Sequence, residues 1–464
     1  PDLLMLDSTD PAAILDVERR IDLHATLFLV ASKSGATIET LSHFAYFWEK
    51  VQAAEGDGAG AQFLAITDAG TPLDQIARQH KFRAIFRNPT DIGGRYSALS
   101  HFGLVPAAIL GVDLEKLLDR AETMWHACHG SSPARENPGL WLGAVLGAGA
   151  THGRDKVTLV MSPPIAAFGT WVEQLLAEST GKDGKGIVPV EGEPLGAPQS
   201  YGDDRLFVYL RTDQGFDAGQ DERIAALQSA GQPVVTLALA DAYDLGQEFF
   251  RWEFATAIAG ALMGINPFDQ PNVQEAKDRT RALLERYASA HKLPVPQPFL
   301  RTEHVALVAG EDIAAPLADA VSLQAAFESY LRRAVPGDYI ALLAYAARTE
   351  ETRQALQHIR LRLRDLLHVA TTLGYGPRFQ HSTGQLHKGG PNTGIFLQIV
   401  ARDPRDVAIP GEPYTFGVLE QAQALGDLQA LQAYERHVLR IDLEADLSVG
   451  LQEVRQAIDA VELA

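Results

Sequence analysis

The stretch SKSGATIET, residues 32–40, sets Ser32, Lys33, Ser34, Thr37 and Thr40 between the apolar run at 27–31 and a segment of helical period. In open parallel sheets ligands bind at the carboxyl ends of strands, and the amides that open a helix carry partial positive charge suited to a phosphate. Hydroxyls and amides can hold such a dianion, and Gly35 lets the backbone come close. A plainer alternative is that Ser34 or Thr37 caps the helix, with Glu39 completing its first turn. Downstream, GGRYS at 93–97 presents Arg95, whose guanidinium is a fixed fork of donors that stays charged; an arginine stacked on its own helix would read the same way. In AESTGK, residues 177–182, Glu178 ends a helix that starts near Ala166. A partly buried carboxylate there is suited to carrying a proton, whereas most glutamates in that place are merely solvated. NPFDQPNVQEAK at 266–277 ends on Lys277, by itself a surface lysine of a charged helix that Asp269 could cap. Finally GPRFQHSTGQLHKGGPNTG, residues 376–394, gathers Arg378, His381, His387 and Lys388 among glycines. Two histidines six apart suggest a metal site only if a third ligand follows at a useful spacing, and none is evident. His126, Cys128 and His129 in HACHG do not converge on one point of a helix. No metal or cofactor is therefore expected.

These residues need elements to position them. The runs LLML, LFLVA, FLAIT and AIF, then VTLVMS, IVPV, LFVYLR and VVTLAL, alternate with amphipathic helical stretches. That is the pattern of βαβ units and a parallel sheet, so two α/β layers in series are predicted. HGSSPARENPG at 129–139 divides them, and the proline cluster HKLPVPQPF at 291–299 follows a long helix over VQEAKDRTRALLERYASA. The rest, with strands YIALLAY, GIFLQIV and HVLRIDL around the helix TEETRQALQHIRLRLRDLLHVATTL, reads as a smaller α+β domain. The expected division is 1–130, 139–290 and 300–464. PDLLMLDSTDP reads as a strand and its exit loop entered in mid-fold, so an upstream segment is expected.

Composition bounds the partners. With 464 residues and 46% hydrophobic content the chain can bury a large core. The 40 basic and 59 acidic residues leave a net charge of -19, which repels nucleic acid and anionic membranes, and no basic run offsets it. The single cysteine, Cys128, excludes an intrachain disulfide framework and points to a reducing compartment, hence the cytoplasm. The apolar helix at 254–265 is closed by Pro267 and is too short to span a bilayer.

The 32–40 loop resembles the phosphosugar loop of sugar isomerase (SIS) domains, and the later motifs narrow the resemblance to the phosphoglucose isomerase family. GGRYS resembles that family's Gly-Gly-Arg-Tyr/Phe-Ser, AESTGK its Glu-Ser-Asn-Gly-Lys, and NPFDQPNVQEAK its Asn-Pro-Phe-Asp-Gln motif, where a valine precedes the active-site lysine by four positions. HSTGQLHKGGPN, with FFRWE at Phe249 and LDSTDP at Leu6, resembles the isomerase half of transaldolase/phosphoglucose isomerase fusions. The resemblance implies two SIS-type doubly wound parallel-sheet domains, the first truncated at its N-terminus and lacking a Gly-x-Gly-Gly-Ser loop, plus the C-terminal α+β part. It implies interconversion of glucose 6-phosphate and fructose 6-phosphate through a cis-enediol(ate), in glycolysis and gluconeogenesis, with a pentose phosphate link in the fusion. Glu178 would move the proton, Arg95 stabilise the enediolate, and Ser32, Lys33, Ser34, Thr37 and Thr40 hold the phosphate. Lys277 would help open the ring. Family members usually add a histidine between the glutamate and the NPFDQ motif; this chain has none there, which leaves His381 or His387. A homodimer whose sites borrow residues across the interface is also implied. The alternatives are a phosphosugar-binding module that senses without converting, and an isomerase that also accepts mannose 6-phosphate.

Overall fold

Runs of Val, Ile, Leu and Phe that are apolar on both faces suit strands covered by helices above and below, and the computed structural model arranges them in three sheets. It describes residues 2–402, 405–444 and 446–463. The first sheet is parallel, in the order β1 (Phe28–Ala31), β2 (Phe63–Asp68), β3 (Ala84–Asn88). The second holds β4 (Lys156–Met161), β5 (Val188–Val190), β6 (Arg205–Thr212) and β7 (Val234–Leu239), all parallel, in the order β5-β4-β6-β7. In both, the strands run into helices as the alternating pattern requires, except that β5 reaches β6 through a loop and the short turn Pro198–Ser200. The apolar stretch near 254–265 belongs to the helix Leu245–Met263, which packs in the core of the second layer with Trp252 fully buried. Among the described residues no helix is long and apolar enough to cross a membrane.

Three expectations change. Residues 2–10 form no strand: Leu3 and Met5 are exposed, and the segment ends on Asp10, whose carboxylate accepts from the amides of Ala12 and Ala13 to cap the helix Pro11–Arg20. Apolar residues alone do not make a strand where no neighbouring backbone completes the ladder. The C-terminal region, read as the smaller part, carries the widest sheet. It holds β8 (Leu300–Arg301), β9 (Val305–Ala309), β10 (Tyr339–Tyr345), β11 (Ala370–Tyr375), β12 (Gly394–Val400) and β13 (His437–Leu443), in the order β11-β10-β12-β13-β9-β8. β10 to β13 are parallel and joined by helices, and only β9 and β8 run antiparallel at one edge. The long helix expected over 349–373 stops at Leu367, where His368 turns left-handed with φ 56°, and the β-branched ATTLGY continues as β11.

The second and third sheets are welded through charge. Glu193, fully buried, accepts from Thr371 Oγ1 at 2.9 Å and lies 3.8 Å from both Arg205 and Arg364. Arg360 donates to the carbonyls of Glu191 and Thr371, each at 2.8 Å, and Arg364 to that of Pro194 at 2.7 Å. Buried cations and anions are tolerable only when paired in this way. The weld ties residues 191–205 to β11 and the helix Glu350–Leu367, and further along the helix Gly384–Gly389 packs on the helix Phe168–Thr180.

Candidate active site

β1 leads into the 32–40 loop, which is anchored at both ends of its turn. Ser32 N–H donates to Ile66 O at 3.0 Å, extending the pairing with β2, and Asp68 N–H donates to Lys33 O at 3.2 Å. Gly35 sits at φ 63°, and a Cβ there would lie 2.6 Å from Thr71 Oγ1, so only glycine fits the turn. Thr37 occupies the N-cap position of the helix Ile38–Glu55, but its hydroxyl makes no capping bond; it pairs with Ser32 Oγ at 2.8 Å instead. The plain capping alternative therefore does not account for Thr37. The Thr37 side chain leaves the first-turn amides uncapped, and Ser34 stands exposed beside them. Lys33 turns away: its ammonium pairs with Asp68 at 2.5 Å and donates to Thr90 O at 3.1 Å, so its charge is already met. Thr40 is half-buried one turn on, outside the cleft lining.

Arg95 and Glu178 form the second element of the site. Arg95, on the single turn Gly94–Tyr96, is buried, and Nη1 lies 3.1 Å from Glu178 Oε1. Its other contacts immobilise it: Nε donates to Ser179 Oγ at 2.7 Å, Nη1 to Gln270 Oε1 at 3.0 Å, and Nη2 to the carbonyls of Pro267 and Asp269 at 2.7 and 3.0 Å. The ESTGK and NPFDQ motifs are thus bound to each other through GGRYS. Lys182 completes that junction, donating to Asn266 O at 2.7 Å and Asp269 Oδ1 at 2.8 Å. Burial lowers its pKa, with Asp269 opposing the shift. Gly181 is the tight point, since a Cβ there would fall 2.3 Å from Leu386 Cα on the neighbouring helix Gly384–Gly389.

The third element comes from the far end of the chain. His381, on the turn Arg378–His381 after β11, sets Nε2 3.0 Å from Glu39 Oε1; only an N–H can satisfy a carboxylate, so Nε2 donates. Gln174 Nε2 donates to Glu178 Oε2 at 3.1 Å and to His381 O at 2.9 Å, which joins the glutamate to the histidine segment through one side chain. A cleft of about 540 Å³ opens here, lined by Ser34, Thr37, Glu39, Lys277, Gln380 and His381 among others. Lys277 is exposed on the helix Val273–Ala290, facing this space. His387 is elsewhere. Its ring is buried among Tyr339, Phe379 and Phe396, and burial, helped by Lys388 and Arg436, holds it neutral far below the ordinary histidine value. A ring with no exposed edge cannot meet a sugar.

The structure therefore gathers Ser34, Thr37, Lys277 and His381 around one cleft and holds Arg95 against Glu178 beside it. Sequence reasoning passed over Gln174, Ser179, Lys182, Gln270 and Gln423. Gln174 stands four residues before Glu178, the spacing of one helix face, and Ser179, Lys182 and Gln270 lie inside motifs already singled out. Gln423 carries no local signal. Among the described residues no group of His, Cys, Asp or Glu is placed to hold a metal ion.

Parallel α/β layers with a hydroxyl-rich helix start opening onto a lysine and a histidine define a protein of the SIS type. A family model described as phosphoglucose isomerase matches residues 1–190, and a probable glucose-6-phosphate isomerase of Methanococcus maripaludis is 30% identical over 313 residues, 60% of this chain and 70% of that protein. The chain belongs to the phosphoglucose isomerase family of aldose–ketose isomerases. The glucose-6-phosphate isomerase of Rubrobacter xylanophilus is 31% identical over 333 residues, 62% of this chain and 75% of that one. Among solved structures, a hypothetical protein from Thermus thermophilus superposes with a TM-score of 0.54 at 28% identity, over 60% of this chain and 76% of that chain. A glucose-6-phosphate isomerase from Chlamydia trachomatis, 21% identical with a TM-score of 0.52 over 61% and 63%, shares the fold.

Proposed function

We propose that this protein interconverts glucose 6-phosphate and fructose 6-phosphate in the cytoplasm. The observation that carries the reading is the Arg95–Glu178 ion pair, joined through Gln174 to the histidine that faces the hydroxyl-lined cleft. In this reading Ser34, Thr37 and the first-turn amides of the helix Ile38–Glu55 bind the phosphate, with Ser32 orienting Thr37. Lys277 and His381 open the ring, Lys277 giving a proton to the ring oxygen as the other ring nitrogen of His381 takes the proton of the C1 hydroxyl. Glu178 takes the proton from C2 of the open aldose, leaving a cis-enediolate; the C2 hydroxyl proton passes to O1, and Glu178 returns its own proton to C1 to give the ketose. The fixed charge of Arg95 stabilises the anion between those two steps. In this reading the chain divides into units at 1–130, 139–290 and 300–464, a division that the separation of the strands into three sheets supports. The resemblance of HSTGQLHKGGPN to the isomerase half of transaldolase fusions supports placing the chain in that branch, with its pentose phosphate link.

The test is a coupled assay for glucose 6-phosphate formation from fructose 6-phosphate. Glu178→Gln is expected to lower kcat by about 10²–10⁴-fold, the range that a positioned acid–base group supplies. Full activity in that variant would sink the mechanism; phosphosugar binding without turnover in the parent would leave a sensing module. Parallel assays with mannose 6-phosphate settle the scope.

A further inference from the structure

We infer that Lys33 is a positioning residue: its ammonium is a strut that sets the 32–40 loop against the turn carrying Arg95, and it makes no contact with a substrate phosphate. The inference rests on the isomerase reading above. β1 and β3 are separated by β2, so two strand spacings put their ends about 9–10 Å apart. Ladder bonds join adjacent strands, and it takes a long side chain to bridge the outer pair. Lys33, just past β1, does so: Nζ pairs with Asp68 Oδ2 at the end of β2 at 2.5 Å and donates at 3.1 Å to the carbonyl of Thr90, beyond β3. Thr90 lies in the loop that leads into the turn Gly94–Tyr96.

Both ends of the strut are held. Lys33 O accepts from Asp68 N–H at 3.2 Å, and Gly35 packs so closely on Thr71 that the loop cannot slide past it. Asp68 stands opposite Asn88 in the ladder, and Arg87 Nη2 reaches the buried Asp74 Oδ1 at 2.9 Å, which ties the chain after β2 to β3. The Asp68 side chain is 13% exposed, and moving the ammonium to a phosphate would take away the cation paired with it, a costly exchange. Arg95 is held from the other side by Ser179, Gln270 and the carbonyls of Pro267 and Asp269. The strut therefore fixes the distance between the groups that grip the phosphate and those that act on C1 and C2. A displacement of about 1 Å there is enough to lower turnover about 100-fold. The Ser32–Thr37 hydroxyl pair and the first-turn amides do not involve the ammonium, so phosphate binding survives its removal.

The test combines Lys33→Met with Asp68→Asn, so that no buried carboxylate is left without its cation, and sets Asp68→Asn and Lys33→Arg beside it. In the coupled assay the double variant is expected to lose about 10- to 100-fold in kcat. Its KM for fructose 6-phosphate, and its Kd for inorganic phosphate by calorimetry, are expected to stay within about threefold of the parent. Asp68→Asn alone is expected to lose kcat too, with the double variant no worse than either single change by more than about twofold, because both remove one bridge. Lys33→Arg, whose fork can meet both Asp68 and the Thr90 carbonyl, is expected to keep kcat within about threefold of the parent. Phosphate affinity lowered about tenfold or more in the double variant would make Lys33 a phosphate ligand and overturn the inference. An unchanged kcat there would overturn it as well. If the parent itself turns nothing over, the isomerase reading fails rather than the strut, and hydrogen exchange decides the latter. Amides of residues 89–97 are then expected to exchange about tenfold faster in the double variant while those of 63–68 keep their rates. Equal rates over 89–97 would remove the strut.

Discussion

The carboxylate of Glu39 holds two donors on a single oxygen, His381 Nε2 at 3.0 Å and Gln423 Nε2 at 2.7 Å. Burial pushes its pKa up, but the hydrogen bond and charge of His381 together outweigh that, and the net value lies below the ordinary one. A carboxyl lowered on folding stabilises the fold above its unfolded pKa of 4.5, and that contribution is lost as pH falls through the folded value. Glu39→Gln is therefore expected to flatten the acid loss of stability between about pH 5 and 3 in thermal melts. It should also lower kcat about 10- to 100-fold, less than Glu178→Gln, because the imidazole loses the acceptor that fixes its tautomer while the proton-transfer base remains. An unchanged kcat would remove His381 from the reaction. Lys33 makes the opposite case: a cation inside the best-matched motif spends its charge on Asp68, which no reading of nine residues reveals.

Among the elements, the turn from the helix Phe168–Thr180 into Gly181 leaves no room for a side chain. The added Cβ of Gly181→Ala would meet Leu386 Cα at 2.3 Å and Ala177 O at 2.8 Å, both backbone atoms, so the helix carrying Glu178 would have to move away from the helix Gly384–Gly389. Overpacking of this kind costs about 1–3 kcal/mol, and urea unfolding should show it together with a loss of turnover. Gly130→Ala, where nothing lies within 4 Å, is the control and should leave both unchanged. Equal stability of the two variants would mean that the junction yields. Most strands and the helix Val273–Ala290 were legible because period and turn chemistry are local properties. LLML was not, since pairing depends on a neighbour elsewhere in the chain, and β8, β9 and β11 are short or merged with a helical pattern in sequence.

For the whole molecule, the junction between the second and third sheets contains a charge that folding strands. Glu173 lies buried near Arg378 and Arg360, and its pKa is raised to about 7, first by burial and then by Glu191. Burial raises Glu248 to about 7 and Glu253 to about 8. A carboxyl raised on folding binds more protons in the native state, so stability falls as pH climbs from the unfolded value through the folded one. Glu173→Gln is expected to leave stability near pH 5 unchanged and to raise it at pH 8, by roughly 1–3 kcal/mol in denaturant titrations. A loss at pH 8 would show that the ionised carboxylate is fully paired by its arginines. Local sequence sufficed for the α/β alternation, the helix start after β1 and the motif order, because helix starts, turns and apolar periods are set by neighbouring residues. Only the tertiary structure decided that Lys33 is occupied, that His381 rather than His387 faces the cleft, and that Gln174 and Gln423 tie the site together. Those outcomes depend on which buried donor meets which acceptor across hundreds of residues, and the packing of whole layers, not any local period, chooses the pairs.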